Sequence, residues 1–260
     1  GISGLLTSTT SFIGGLTEFG LGTSAVRNVA SANNSGNEKR ISTVITVLRR
    51  WVWVTGILGT LTMLILSSWL SQLTFNNSNY TLAYMWISIT LLFTQLTNGQ
   101  FVILQGMRKL QYLAKASLIG SALGLVITIP LYYKFGIQGI VPSIIIASII
   151  SLLLSWYFAK KISIPPVKVS RNITIAEGKN MLIMGFLISL SGLIILGVSY
   201  IVRTYISNTG GVEQVGLYSA GFDIITTYVG LLFTAMGTDY YPRLSAVAHN
   251  NELCKQTINQ

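Results

Sequence analysis

The sequence predicts an all-α fold, a polytopic transmembrane helix bundle, on three observations. Residues 51–107, 116–133, 135–159 and 180–202 contain no charged side chain. Each stretch is long enough for at least one span, since ~20 apolar residues cross the ~30 Å hydrocarbon layer. Only 9% of the 260 residues are charged, while 51% are hydrophobic. A soluble domain carries ~25% charged residues, and a protein of this size could not cover its surface with so few. The third observation is how the basic residues alternate between connections, set out below.

Apolar runs between polar punctuation place seven helices, near 1–26, 44–72, 82–105, 113–133, 137–159, 180–206 and 214–239. The first is no signal peptide, because it lacks a basic leader and holds Glu18 well inside. The run 51–107 must be two helices, since the polar cluster from Thr74 to Asn79 forms a turn in its middle. The third segment carries Gln95, Asn98, Gly99, Gln100 and Gln105, which are costly against lipid and are expected to look into the bundle. The fourth holds Gly120 and Gly124 with Ser117 and Ser121 alongside, a small-residue spacing expected to serve close helix packing.

Between the fifth and sixth segments lies the longest polar linker, Lys160 to Lys179, with Pro165-Pro166 and five basic residues. A proline pair stiffens and extends a connection, which suits a hinge between two helical halves. The expected organisation is therefore an N-terminal lobe over 1–159 lacking its first helix, a linker over 160–179, and the start of a second lobe over 180–260. The chain begins inside an apolar run and stops in a polar one, and is expected to be a fragment of a two-lobed protein.

Connections of a helix bundle must alternate sides. One set holds Arg27, Lys39, Arg40, Arg49 and Arg50, then Arg108, Lys109 and Lys115, then Lys160, Lys161, Lys168, Arg171 and Lys179, then Arg243 and Lys255: fifteen of the seventeen basic residues. The opposite set holds only Lys134 and Arg203. By the positive-inside rule the first set is cytoplasmic. The net charge of +10 follows from that topology without any nucleic-acid partner.

A single cysteine, Cys254, and a single histidine, His249, assemble neither a disulfide framework nor a Cys/His metal site, and no cofactor is expected. No nucleophile and base are placed to act together, so no enzyme is expected.

Phe19-Gly20-Leu21-Gly22-Thr23-Ser24-Ala25-Val26-Arg27 resembles the end of the second helix in bacterial polysaccharide (O-antigen) flippases of the multidrug/oligosaccharidyl-lipid/polysaccharide exporter superfamily. Leu104-Gln105-Gly106-Met107-Arg108-Lys109 resembles the end of the fourth helix, and Val215-Gly216-Leu217-Tyr218-Ser219-Ala220 the start of the eighth. The resemblance implies two lobes facing a central cavity, and alternating-access transfer of undecaprenyl-pyrophosphate-linked oligosaccharide across the bacterial inner membrane. The implied partners are that lipid-linked substrate, membrane lipids and the polymerase machinery of surface polysaccharide synthesis.

An anionic pyrophosphate head needs cations, and the planar fork of arginine suits phosphate. Arg27, Arg49 and Arg50 sit at the cytoplasmic mouth of helices that the family places near the cavity; their plainer role is topological anchoring. Arg203 lies on the outer side, against the basic bias, and either snorkels to the interface or forms a second phosphate station. Asp223, well inside its helix, is a candidate coupling group expected to be buried, or else the partner of Arg203. Glu18 is a similar candidate nearer the cytoplasmic end. The alternatives are a cation-coupled drug exporter of the same superfamily, with a pocket of aromatics and acids, and a membrane-embedded polymerase or glycosyltransferase with a long outer loop.

Labelling of single cysteines tests the topology. In a Cys254-free variant, an impermeant thiol reagent should reach cysteines at Asn77 and Gly210 in intact cells and spare one at Asn34; the reverse pattern would refute the orientation.

Overall fold

A computed structural model describes residues 1–165, 167–247 and 255; Pro166, His249 and Cys254 lie outside them. The described residues contain helices and no strand. In chain order the helices are α1 (Ile2–Glu18), α2 (Leu21–Asn34), α3 (Glu38–Phe75), α4 (Thr81–Gly106), α5 (Leu110–Phe135), a short 3-10 turn (Gly136–Gly139), α6 (Ile140–Lys160) and α7 (Arg171–Val247).

The expected first helix is two. Phe19 (φ 50°, ψ 31°) and Gly20 (φ 62°, ψ 20°) are both left-handed, which ends α1 and restarts the chain as α2. Glycine adopts that conformation without steric cost. The break is clasped from outside: a Cβ on Gly20 would collide with the Gly185 carbonyl of α7, and one on Gly185 would collide with the Gly20 backbone. One turn further on, the Ser24 hydroxyl donates to the Met181 carbonyl at 2.6 Å.

Helix α3 starts six residues before the expected position. The Asn37 side chain caps it by accepting from the Arg40 amide at 3.2 Å, and Glu38 occupies the first turn. At 1.5 Å per residue its 38 residues reach roughly 57 Å, well beyond the hydrocarbon layer. The surplus carries Lys39, Arg40, Arg49 and Arg50 out at what is here termed the basic end. At the other end, Asn76 in the left-handed region (φ 55°) stops the helix.

Helix α7 starts at Arg171, so its first turns lie within the stretch expected to be linker. Its two arms, residues 171–210 and 212–247, meet at Gly211 (φ 81°, ψ 169°). Contacts reverse there. Along the first arm, Gly197 faces Phe12 and Gly185 faces Gly20; along the second, Gly216 faces Gly1 and Ser219 faces Gly4. The first arm thus runs antiparallel to α1 and α2, and the second returns alongside α1.

Glycines set the tightest crossings. A Cβ on Gly99 would lie 2.9 Å from a Val52 methyl, one on Gly56 2.8 Å from Leu92, and one on Gly59 2.7 Å from the Thr17 hydroxyl. These contacts dock α4 and α1 on α3, as small residues do between membrane helices. By contrast, a Cβ on Gly120 or Gly124 would meet α6 at ordinary contact distance, 3.7 and 3.9 Å, so this GxxxG packs α5 on α6 without requiring glycine.

Large apolar side chains such as Ile65, Trp86, Leu118 and Ile129 cover the outside, while Thr9, Ser24, Ser71 and Thr74 are buried. Most buried hydroxyls bond the carbonyl one turn back, as Thr9 does to Leu5 at 2.8 Å. By length and composition, Glu38–Phe75, Thr81–Gly106 and Leu110–Lys160 can cross a membrane, as can the bent pair Arg171–Leu187 and Gly192–Leu231. Within Leu110–Lys160 the chain turns back at Gly136, so α5 and α6 form a hairpin in which Gly120 meets Leu154 and Gly124 meets Ala147. The protein is a multi-pass membrane helix bundle.

In detergent-solubilised full-length protein, Gly185→Ala should cost ~1–3 kcal/mol of stability, because backbone opposes the new methyl. Gly120→Ala should stay within about 0.5 kcal/mol. Equal losses of thermal midpoint in the two variants would refute this division of the glycines.

Candidate functional site

The break between α1 and α2 lies beside a chamber of about 360 Å³, whose wall mixes hydroxyl and amide groups with a larger apolar area that includes Leu91, Ile144 and Leu196. One helical face of α1 lines it with Thr7, Thr10, Ser11, Gly14 and Glu18, and α4 supplies Thr90, Thr94, Gln95 and Asn98. Glu18 and Asn98 also line a neighbouring space of about 430 Å³ that extends along α4 to Gln105. Thr94 and Ser148 lead the other way, into a pocket of about 340 Å³ between α4, α5 and α6. The three spaces adjoin one another, with Glu18 and Asn98 shared by two of them and Thr94 and Ser148 by another two.

Glu18 is the acidic group of this cavity and its last residue on α1. Its carboxylate faces the Gly22 amide, in the first turn of α2, and the Gln95 side chain. A Cβ on Gly22 would lie 2.7 Å from Glu18 Oε1, so glycine is needed there for the carboxylate to occupy its place. A broken helix exposes carbonyls on one half and amides on the other, and Glu18 sits between the two. Among the described residues no basic side chain forms an ion pair with it. The arrangement can exchange a cation or proton with the cavity.

The arginines named from the sequence are dispersed. Arg27 is exposed, with Nη1 3.8 Å from Met184 Sδ. Arg50 holds the start of α7, donating to the Val169 carbonyl at 3.1 Å and to Thr174 Oγ1 at 2.6 Å. Arg49 lines a separate pocket of about 270 Å³ together with Lys160, Gln100, Trp53 and Trp156. Lys160 Nζ stands 3.6 Å from the Trp156 ring centre, and Gln100 Oε1 is buried without a partner. Two cations and two indoles at the basic end make this pocket suited to an anionic head. Lys160 reads in the sequence as part of the linker, and its place in one pocket with Arg49 follows only from the packing of both α3 and α6 on α4.

At the opposite end Arg203, only 14% exposed, bridges three segments. It donates to Ser8 Oγ on α1 and lies 3.5 Å from Asp223 Oδ1 on the second arm of α7. The direct pair forms because the arms fold back at Gly211. Asp223 itself is 67% exposed and not buried as expected. The amides of α4 fall inward in part: Gln95 is 4% exposed and Asn98 is half-buried beside the chamber, Gly99 serves packing, and Gln105 is exposed, contrary to expectation. The hydroxyl face of α1 escaped the sequence reading, although Thr7, Thr10, Ser11, Gly14 and Glu18 recur at helical spacing and would have revealed it.

Over residues 1–260 the chain matches the family model described as polysaccharide biosynthesis protein. It is 24% identical over 252 residues to a Shigella flexneri protein named "Putative O-antigen transporter". That alignment covers 95% of this chain and 58% of the relative, so the chain spans little more than half the relative's length. No solved structure matches. The match over the full chain settles the family: the chain belongs to the polysaccharide biosynthesis proteins.

Proposed function

We propose that the chain is part of a flippase that moves undecaprenyl-pyrophosphate-linked oligosaccharide from the cytoplasmic to the outer leaflet of the bacterial inner membrane, for O-antigen or another surface polysaccharide. The observation that carries this reading is the set of hydroxyls and amides that α1 and α4 present to one another across the chamber, within a bundle whose outside is apolar. Sugars are read by such groups, whereas a drug exporter needs aromatic walls. Family membership and the O-antigen name of the relative point the same way. Arginines do not distinguish the two readings, since none of those named lines the central chamber; the hydroxyl lining does.

Within this proposal the basic end faces the cytoplasm and the pocket of Arg49 and Lys160 receives the pyrophosphate. The sugars enter the chamber beside Glu18, whose carboxylate couples transfer to a cation or proton. Arg203, held by Ser8 and Asp223, closes the opposite end until the cargo leaves. Nothing in this cycle requires bond chemistry, so the protein acts as a transporter and not as an enzyme.

Complementation of a flippase-deficient strain by the full-length gene, scored by surface polysaccharide, tests the proposal; no export at normal protein levels would reject it. In the same assay Arg49→Ala and Lys160→Ala should each cut export about tenfold or more, as hydrogen bonds to a charged group contribute ~1.5–3 kcal/mol. Arg49→Lys should retain part of it.

For coupling, Glu18→Gln should reach the membrane, export poorly and show a flattened pH dependence of transport. Asp223→Asn should be milder, and should be rescued by also neutralising Arg203. Unchanged pH dependence in Glu18→Gln, or a full loss in Asp223→Asn without rescue, would exchange the two roles.

A further inference from the structure

The side pocket between α4, α5 and α6 was expected to be a packing seam, because Gly120 and Gly124 have the spacing of one. The contacts show a seam on one side only. A Cβ on Gly120 or Gly124 would meet α6 at ordinary contact distance, 3.7 and 3.9 Å. Towards α4 the same small residues leave a volume of about 340 Å³.

That volume has a definite chemistry. Its lining contains six hydroxyls, from Thr94, Thr97, Ser117, Ser121, Ser148 and Ser151, one aromatic ring, Phe101, and no acidic or basic side chain. Thr97 is only 6% exposed, yet its Oγ1 has no hydrogen-bond partner. A buried polar atom left unpaired costs ~1–3 kcal/mol, and Thr97 is a wall residue of this pocket. Ser148 donates to the Ile145 carbonyl at 2.7 Å and keeps its acceptor capacity. An alkyl chain would offer the remaining hydroxyls no partner. A charged sugar would shed its hydration with no counter-charge to meet it. A neutral pyranose satisfies both demands, since its hydroxyls pair with the wall and its C–H face covers Phe101.

The geometry points to this pocket as a specificity subsite for one uncharged sugar ring of the cargo, opening through Thr94 and Ser148 onto the chamber of Glu18. The inference rests on the flippase reading and deepens it. Thr97 and the serines of α5 and α6 read the sugar, and the cargo lacks an acidic residue at that position.

The test uses the full-length protein in nanodiscs, in a Cys254→Ser background with Ser121→Cys or, separately, Thr10→Cys in the central chamber. Labelling by a small neutral maleimide is timed with undecaprenyl pyrophosphate alone, with the same lipid carrying a neutral oligosaccharide, and with the same lipid carrying a uronic-acid oligosaccharide. The neutral form, at ~4 times its Kd, should slow labelling of Ser121→Cys about fivefold, because only unoccupied protein reacts. The bare lipid and the acidic form should not slow it. Adding Thr97→Val should remove the protection, and Thr97→Ser should keep it. Protection of Thr10→Cys without Ser121→Cys would overturn the subsite and leave the flippase reading intact. Protection of neither would overturn both, and equal protection by the acidic form would overturn the preference for neutral sugars.

Discussion

The architecture of this bundle turns on one backbone contact, that of Gly20 with Gly185. In lipid each peptide group must find a partner inside the protein, so a helix can be interrupted only where something stands in for its missing bonds. Here α7 presses its own glycine against the interruption, and Ser24 reaches the Met181 carbonyl one turn away. Because the break is held there, Glu18 ends one helix and faces the first turn of the next, and the hydroxyl face of α1 looks across at α4. Placing any side chain at either glycine would separate α7 from α1 and remove one wall of the chamber.

Polarity in the bundle is distributed by the same rule. Serine and threonine spend their hydrogens on the carbonyl one turn back wherever they are buried in contacts, as Thr9, Thr55 and Ser67 do. Thr97 and Gln100, beside pockets, keep buried atoms that no protein group meets, and so do Ser42 and Thr204 away from them.

Much of this was legible in the sequence, for reasons of length and charge. The apolar runs fix helices α3 to α6 within a few residues, and the amides of α4 announce an inward face because lipid would reject them. Three things were not legible. The break at Phe19-Gly20 is invisible to hydropathy, since both residues suit an apolar run. The meeting of Arg49 and Lys160 in one pocket joins residues far apart in the chain, and depends on both α3 and α6 packing on α4. The spacing Gly120-x-x-x-Gly124 reads alike whether the partner helix requires glycine or meets it at ordinary contact distance, and only the distances to Ser151, Leu154 and Ala147 decide.

The length of α3 has a mechanical consequence. It is gripped near its middle, where Gly56 and Gly59 seat it on α4 and α1, and again near its basic end, where Arg40 meets Glu177 at 2.5 Å and Trp51 donates to the Thr174 carbonyl at 3.0 Å. A stiff rod held in this way is a lever with its fulcrum at the glycines. Adding or removing a turn of α3 between the glycines and Arg40 would therefore move the point where Glu177 is met, and with it the first turns of α7.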